Sequence, residues 1–298
     1  MDKSSKNKNR KKSLNKCLYK AGFFVFLAFF VLIVVIIAIG NGKKKAQEKK
    51  LKELAEQSKE QSAEQSTDGD VDTNTDADLN LQSDGDSAHS DSRIKISCKI
   101  PSKNIDWDKL EGENKDIYAW IYIPNTNVDY PVLQSSKDTN YYLTHNIDNS
   151  EGHPGCIYSQ NINSKDFLDP NTVLYGHNMR DGSMFNTLHN FESGEFFENN
   201  QYIYIYTRNK NYAYKIFAAY TFSDADILTS FDFNTPECFQ QYLDGILSIR
   251  DMSSHIRKDM TITSDNHILT LSTCTNGTPH NRYLVQGVLI NDPTFTDK

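Results

Sequence analysis

The sequence predicts a mostly β domain of about eight short strands closed into a barrel, behind a single N-terminal transmembrane helix. Short runs of β-branched and aromatic residues, bounded by turn residues, occupy most of residues 93–298. Helical periodicity in that region is confined to two or three short segments. Residues 21–40 contain no charged side chain. Closure of the strands into a barrel is expected because it leaves no exposed sheet edge.

Residues 21–40 predict a membrane anchor. A helix of twenty residues spans about 30 Å, the thickness of the hydrocarbon core of a bilayer. The apolar core of a cleavable signal peptide is usually shorter, at about 7–15 residues, although residues 38–40 would serve as a cleavage site. Eight Lys or Arg in residues 1–20 outnumber the six Lys between residues 43 and 52. This asymmetry predicts a single-pass protein of the cell membrane, with a cytoplasmic basic tail and with the rest of the chain outside the cell.

Residues 41–92 predict a charged and then acidic disordered tether. Between Glu53 and Ser92 there are twelve Asp or Glu and one Lys, with no aromatic residue. Such a segment cannot bury enough apolar area to offset the entropy lost on ordering. Residues 44–59, in which Glu and Lys interleave, could form a short solvated helix. The folded domain is then residues 93–298.

The composition of this domain excludes some classes of partner. It carries 25 acidic and 17 basic residues, a net charge of −8, so nucleic-acid binding is not expected. The five cysteines have no CxxC or other paired spacing, and neither a metal site nor a cofactor is predicted. A disulfide between Cys156 and Cys238 is possible outside the cell, and the sequence leaves it open.

The first elements of the domain are a helix and four strands. The helix is expected over residues 106–120, where Trp107, Leu110 and Ile117 fall near one face. The strands follow from short β-branched and aromatic runs that end in turn residues. They are expected over residues 121–123, 130–133, 155–158 and 172–175.

A long hairpin, a helix and two last strands complete the domain. Tyrosine and isoleucine alternate over residues 201–207, and a polar turn separates this strand from the next, over residues 212–222. Thr235 as N-cap and Pro236 at the first helical position begin a helix with one apolar stripe, ending near residue 247. The last strands are expected over residues 268–272 and 282–290.

Cys274, His177 and Arg282 are the candidates for chemistry. Cys274 follows a strand, and a thiolate near cationic groups is a strong nucleophile. Arg282 begins the next strand, so neighbouring strand ends would bring the two together. His177 closes the strand that begins at Thr172, and Gly176 is expected to leave room for a substrate backbone. Each residue alone has a plain structural role, as a buried thiol, a capping histidine or an edge charge, but the three motifs together favour a catalytic site.

These motifs resemble the sortases, and class B in particular. The resemblance extends from Asp106 to about Asp292. It rests on Thr-Leu-Ser-Thr-Cys at 270–274, Tyr-Gly-His at 175–177 and Arg282. Further class B marks are Trp-Ile-Tyr-Ile-Pro at 120–124 and Asp-Gly-Ser-Met-Phe at 181–185.

The resemblance implies an eight-stranded sortase-type β-barrel with an N-terminal helix and a second helix between strands six and seven. It also implies cysteine transpeptidation: Cys274 would cleave the sorting motif of a surface protein through a thioester. His177 would be the general acid and base, and Arg282 would stabilise the oxyanion or the substrate backbone. The acceptor would be an amine of a peptidoglycan precursor or a pilin lysine.

The resemblance also suggests where the substrate is contacted. It assigns specificity to residues 222–248, which include the helix after the sixth strand. Tyr175, Ser272 and Thr273 are candidates for substrate contact. Strand packing and turn formation are equally suitable roles for Tyr175 and Ser272.

Two other functions remain open from the sequence. A secreted cysteine peptidase would use the same residues with water as acceptor. A membrane-tethered binding module would carry an inert Cys274. An L,D-transpeptidase is disfavoured, because the chain lacks a Ser-x-Gly-Cys-Arg motif.

Overall fold

The computed structural model describes residues 3–64, 100–278 and 280–291, with residues 3–25, 28 and 58–64 described by their backbone only. The chain divides into two compact units, Met1–Lys49 and Lys50–Lys298. Helix α1 (Lys3–Glu64) includes the predicted anchor. Within the described part of the chain, no helix is long and apolar enough to cross a membrane. The anchor therefore stays a prediction, and residues 65–92 of the expected tether lie outside the described residues.

The end of α1 belongs to the second unit. Residues 44–59 are helical, but they are not fully solvated, because Leu51 and Leu54 are buried. Lys50 forms an ion pair with Glu113 of the second helix, α2 (Trp107–Glu113). Two buried leucines one helical turn apart thus give this part of the expected tether an apolar face that packs within the catalytic unit.

Nine strands form one sheet, and eight of them close into a barrel. The ring runs β5-β1-β2-β3-β4-β8-β9-β6 and is completed by pairing of β6 with β5. The two-residue strand β7 pairs with β6 outside this ring. The predicted closed eight-stranded barrel is therefore confirmed. The strands are β1 (Ile117–Tyr122), β2 (Asp129–Leu133), β3 (Ile157–Ser159), β4 (Asn171–Tyr175), β5 (Tyr202–Thr207), β6 (Asn211–Ser223), β7 (His255–Ile256), β8 (Ile268–Cys274) and β9 (Asn281–Leu289).

Strand direction determines where the candidate residues lie. Strands β4 and β8 are parallel, with Tyr175 opposite Ser272. Strands β8 and β9 are antiparallel, with Cys274 opposite Arg282. The carboxyl ends of β4 and β8 and the amino end of β9 consequently meet at one edge of the barrel.

The first helix of the domain is shorter than predicted. It ends at Glu113, and residues 117–120 belong to β1 instead. Asn114 caps the helix and turns the chain, since its side-chain amide donates to the carbonyl of Ile147 at 2.9 Å. Trp120 is then buried in the sheet, where its Nε1 donates to Asp129 at 2.6 Å. These tertiary hydrogen bonds outweigh the helical spacing of Trp107, Leu110 and Ile117, so the helix ends before residue 117.

The helix between the sixth and seventh barrel strands is confirmed as α6 (Pro236–Leu247). A buried polar network fixes it to the barrel. The Gln286 Nε2 atom donates to the hydroxyl groups of Tyr242 and Thr270, both at 2.8 Å. Tyr220 donates to Gln286 Oε1 at 3.1 Å. A fully buried glutamine is tolerated because these partners satisfy its amide.

The remaining helical segments were not predicted. They are α3 (Tyr141–Thr144), a 3₁₀ helix (Asn186–Glu192), α4 (Gly194–Asn199) and α5 (Ile227–Ser230). Each is too short to show a hydrophobic period in the sequence.

The disulfide that the sequence left open is not formed. Cys156 and Cys238 are both free thiols. Cys156 is buried, with its Sγ 3.5 Å from the carbonyl oxygen of His145, whereas Cys238 is exposed on α6. Burial raises the pKa of the Cys156 thiol, so this cysteine behaves as an inert core residue.

Candidate active site

A cleft of about 210 Å³ opens where β4, β8 and β9 meet. Cys274, His177 and Arg282 all line it, so the structure brings together the three residues that the sequence singled out. The proposed substrate-contact residues Tyr175, Ser272 and Thr273 line it as well. The other lining residues are Asn140, Leu143, Tyr158, Gln160, Gly176, Phe222, Ser223, Asp224, Ala225, Asp226, Ile227 and Leu284.

Strand register determines which side chains of β8 and β9 share a face. Cys274 and Arg282 are directly opposed, and opposed residues of an antiparallel pair project to the same side. Ser272 shares that face, because it lies two residues before Cys274. Thr273 points to the opposite face, and its buried hydroxyl has no hydrogen-bond partner among the described residues. Cys274 itself is exposed, as a nucleophile must be.

His177 lies two residues beyond the end of β4. Its Nε2 is 2.7 Å from the carbonyl oxygen of Leu143, which can only accept, so Nε2 carries a proton. Burial lowers the pKa of His177; the bond to Leu143 acts in the opposite direction, and the neighbouring His153 lowers it further. The ring centroids of the two histidines are 5.1 Å apart. The neutral imidazole, with Nδ1 unprotonated, is therefore favoured at neutral pH.

Gly176 is required for packing as well as lining the cleft. A Cβ atom at this position would lie 2.5 Å from Ile157 Cδ1 and 2.7 Å from the ring of Phe185. The absence of a side chain therefore serves packing against β4, and the expected room for a substrate backbone stays a prediction.

Arg282, at the start of β9, lines the same cleft. Its Nη1 donates to the carbonyl oxygen of Asn281 at 3.1 Å. The pKa of nearby Asp224 is lowered, first by its hydrogen bond to His280 and then by the positive charges of His280 and Arg282. The mouth of the cleft thus contains a guanidinium group and an ionised carboxylate.

One wall of the cleft is polar and was missed in the sequence. Gln160 Nε2 donates to Asp226 at 2.8 Å and to Asn140 at 3.3 Å. The buried Gln160 Oε1 has no hydrogen-bond partner in the described structure. Tyr158, paired with Tyr175 and stacked on it at 5.4 Å, completes the wall. The sequence did contain a signal for Gln160, because this polar residue closely follows a predicted strand, as Cys274 does.

The region expected to hold specificity contributes only in part. Of residues 222–248, those that line the cleft are 222–227, from the end of β6 to the start of α5. Helix α6 instead buries Phe239, Tyr242, Leu243 and Ile246 against the barrel. Helix α6 does not line this cleft, and the expectation that it forms a wall of the substrate groove stays a prediction.

No group of three or more His, Cys, Asp or Glu in the described residues is arranged to hold a metal ion.

Comparison with known proteins agrees with this geometry. The family model of the sortase domain matches residues 121–290, more than half of the chain. The chain belongs to the sortase family. This sortase is 34% identical to sortase B of Listeria monocytogenes over 183 residues, covering 61% of this chain and 72% of that protein. It is 33% identical to sortase B of Staphylococcus aureus over 168 residues, covering 56% and 67% of the two chains.

Solved structures of class B sortases share the fold. Clostridium perfringens sortase B superposes with a TM-score of 0.56 at 31% identity, covering 62% of this chain and 99% of that one. The sortase B–substrate complex of S. aureus gives a TM-score of 0.54 at 31% identity, covering 61% and 83%. The sequence-based assignment to class B is thereby confirmed, and sortases are cysteine transpeptidases.

Proposed function

We propose that this sortase cleaves a C-terminal sorting motif of secreted surface proteins and transfers the cleaved protein to an amine. The acceptor would be a cell-wall precursor or the lysine of a pilin. The observation that carries the proposal is the convergence of Cys274, His177 and Arg282 on one cleft, from β8, from the segment after β4 and from β9. A thiol, an imidazole and a guanidinium are the groups that acyl transfer through a thioester requires.

The first half-reaction forms the acyl-enzyme. The Cys274 sulfur, having lost its proton to His177, attacks the carbonyl carbon of the scissile peptide bond. Arg282 stabilises the negative charge that develops on the carbonyl oxygen. The C–N bond then breaks, and protonated His177 gives its proton to the departing amine. The products are a thioester on Cys274 and a free amine.

The second half-reaction resolves the thioester. The acceptor amine attacks the thioester carbonyl and loses a proton to His177, a new amide forms, and the Cys274 sulfur leaves as the thiolate. Because His177 Nε2 is engaged by the Leu143 carbonyl, Nδ1 is the nitrogen that exchanges these protons. The neutral imidazole favoured by burial is ready to accept a proton at each start of the cycle.

The cleft offers groups that suit a peptide. Gln160, Asn140 and Asp226 place amide and carboxylate groups in its lining, joined by hydrogen bonds from Gln160 Nε2. Tyr175 and Ser272 flank the catalytic residues in sequence and line the same cleft. The related S. aureus enzyme has been solved as a substrate complex, which supports a peptide as occupant here.

We further propose that residues 21–40 anchor the protein in the cell membrane, with residues 1–20 inside and the catalytic domain outside. The support is the uncharged run of twenty residues and the excess of basic residues before it. Alkaline extraction of membranes and protease treatment of intact cells test this arrangement. A protein that is released by alkali, or that is protected from external protease, would contradict it.

Mass spectrometry of the enzyme incubated with a panel of sorting-motif peptides tests the proposed chemistry. We expect a covalent adduct that hydroxylamine removes, and an amide product when an amine acceptor is added. Cys274→Ala and His177→Ala should abolish the adduct. Arg282→Lys should reduce its rate of formation by about 100-fold, because an ammonium group cannot replace the planar fork of guanidinium donors.

The same assay separates the two alternatives. Hydrolysis alone, at a rate independent of added amine, would identify a cysteine peptidase. A folded domain whose Cys274 fails to react with thiol reagents, and whose binding survives Cys274→Ala, would identify a binding module.

A further inference from the structure

The backbone of Cys274 is held by side chains as well as by the sheet. Its carbonyl oxygen accepts a hydrogen bond from Asn178 Nδ2 at 2.8 Å, and His189 Nε2 lies 3.0 Å from the same oxygen. Asn178 directly follows His177 in the sequence. One side chain therefore connects the segment that carries His177 to the residue that carries the thiol.

The Asn178 amide continues the hydrogen-bond ladder between β4 and β8. The backbone N–H of Gly176 donates to the Ser272 carbonyl at 3.2 Å. In a parallel ladder the next such bond would run from the backbone N–H of residue 178 to the carbonyl of residue 274. The chain leaves the sheet before that point, and the side-chain amide of Asn178 makes the bond to Cys274 instead.

Asn178 is itself held in place. Its Oδ1 accepts a hydrogen bond from Asn186 at 2.6 Å, and its backbone pairs with Met184. Its Nδ2 also lies 3.1 Å from Asn276 Oδ1, in the loop after Cys274. These partners orient the amide, so its bond to Cys274 is preorganised.

We propose that Asn178 is a positioning residue for acyl transfer, which fixes the distance between His177 and the Cys274 sulfur. Cys274 is the last residue of β8 and is exposed. The end of a strand is mobile unless further hydrogen bonds hold it. Bonds from residues 176 and 178 to β8 lie on either side of His177. Since a displacement of about 1 Å in a catalytic group can cost about 100-fold in rate, loss of one of these bonds should slow the chemistry more than it weakens substrate binding.

Steady-state kinetics of peptide cleavage test this role, which rests on the proposed function. Asn178→Leu keeps the number and branching of the side-chain heavy atoms and removes the donor. We expect kcat to fall at least tenfold and KM to change less than twofold. Asn186→Ala leaves Asn178 present but unsupported, and we expect a smaller loss of kcat. The matched control is Asn127→Ala, which removes a similar amide bond to the backbone carbonyl of Gly182, 2.9 Å long, away from the cleft.

The outcomes are distinguishable. Wild-type kcat in a folded Asn178→Leu variant, or an equal loss in Asn127→Ala, would overturn the positioning role. If Asn178→Leu does not fold, the Asn186→Ala variant provides the test. An unchanged kcat in that variant would also overturn the positioning role of Asn178. If the wild-type enzyme forms no acyl adduct with any peptide, the proposed function fails. If the wild type and Asn178→Leu are acylated at the same rate, the positioning role is rejected and the proposed function stands.

Discussion

At the scale of single residues, the site depends on how the protein controls the charge of His177. Burial removes water from the imidazole, and His153 adds a like charge beside it whenever both are protonated. The hydrogen bond to Leu143 fixes the tautomer without supplying a counter-charge. The result is an imidazole that is neutral, and so able to accept a proton, at neutral pH.

We predict that His177 titrates below 6.5, the value for an unperturbed histidine. The folded protein then binds this proton less tightly than the unfolded chain does. His177 therefore costs no stability above pH 6.5, and the cost grows as the pH falls from there through the folded pKa. An NMR titration of the imidazole resonances, assigned with His177→Gln, measures the value directly. A pKa at or above 6.5 would contradict the assignment.

Several residues of the site could be identified from the sequence, and others could not. Cys274, His177 and Arg282 stand out because each lies in a short motif at a strand end. Asn178 is visible in the same motif, but its bond to Cys274 depends on β4 lying parallel to β8. Gln160 has no motif, and its importance comes only from partners 20 and 66 residues away. Long-range contacts of this kind are not encoded in local spacing.

At the scale of elements, packing against β4 explains the glycine before His177. The space where a Gly176 side chain would lie is filled by Ile157 of β3 and by Phe185. An added side-chain atom at residue 176 should therefore lower the stability of the domain, because a core at normal packing density contains no empty space for it.

We predict that Gly176→Ala destabilises the domain by about 1–3 kcal/mol through overpacking. The matched control is Gly245→Ala, at an exposed position of α6 where a Cβ atom meets nothing within 4 Å. This control should gain about 0.5–1 kcal/mol, because alanine is the better helix former. Urea unfolding of the two variants checks both signs. Equal stability of Gly176→Ala and the wild type would show that the packing can yield.

Elements were predictable where their hydrophobic pattern was long enough. All eight barrel strands and α6 were predicted, with boundaries within about two residues in most cases. The predicted end of α2 was wrong because Asn114 and Trp120 form hydrogen bonds with residues outside the helix, Ile147 and Asp129. The order of strands in the barrel, including the parallel pairs β2–β3 and β4–β8, was not predicted and came from the structure.

At the scale of the whole molecule, stability comes from the barrel core without covalent cross-links between the described cysteines. Cys156, Cys238 and Cys274 are all free. Closure of the sheet and the buried hydrogen-bond network around Gln286 stabilise the fold. In smaller secreted domains, disulfides often supply this stability.

We predict that the melting temperature of the domain is the same with and without a thiol reductant. Cys156 is buried and its thiol pKa is raised, so it is protected from oxidation. Calorimetry of the enzyme, with Cys238→Ala and Cys274→Ala used to prevent intermolecular disulfides at the two exposed thiols, makes the comparison. A drop of several degrees in reductant would reveal a cross-link that the described structure does not contain.

The position of β9 in the barrel has a consequence for the order of events during synthesis. This strand is the last one described, it pairs with both β8 and β6, and it carries Arg282. A chain made from its N-terminus therefore displays Cys274 and His177 before the barrel can close. The proposed acyl-transfer chemistry is complete only once β9 has emerged and inserted. A chain without β9 would therefore lack both the closed barrel and Arg282, so the fold makes the proposed site depend on the insertion of this strand.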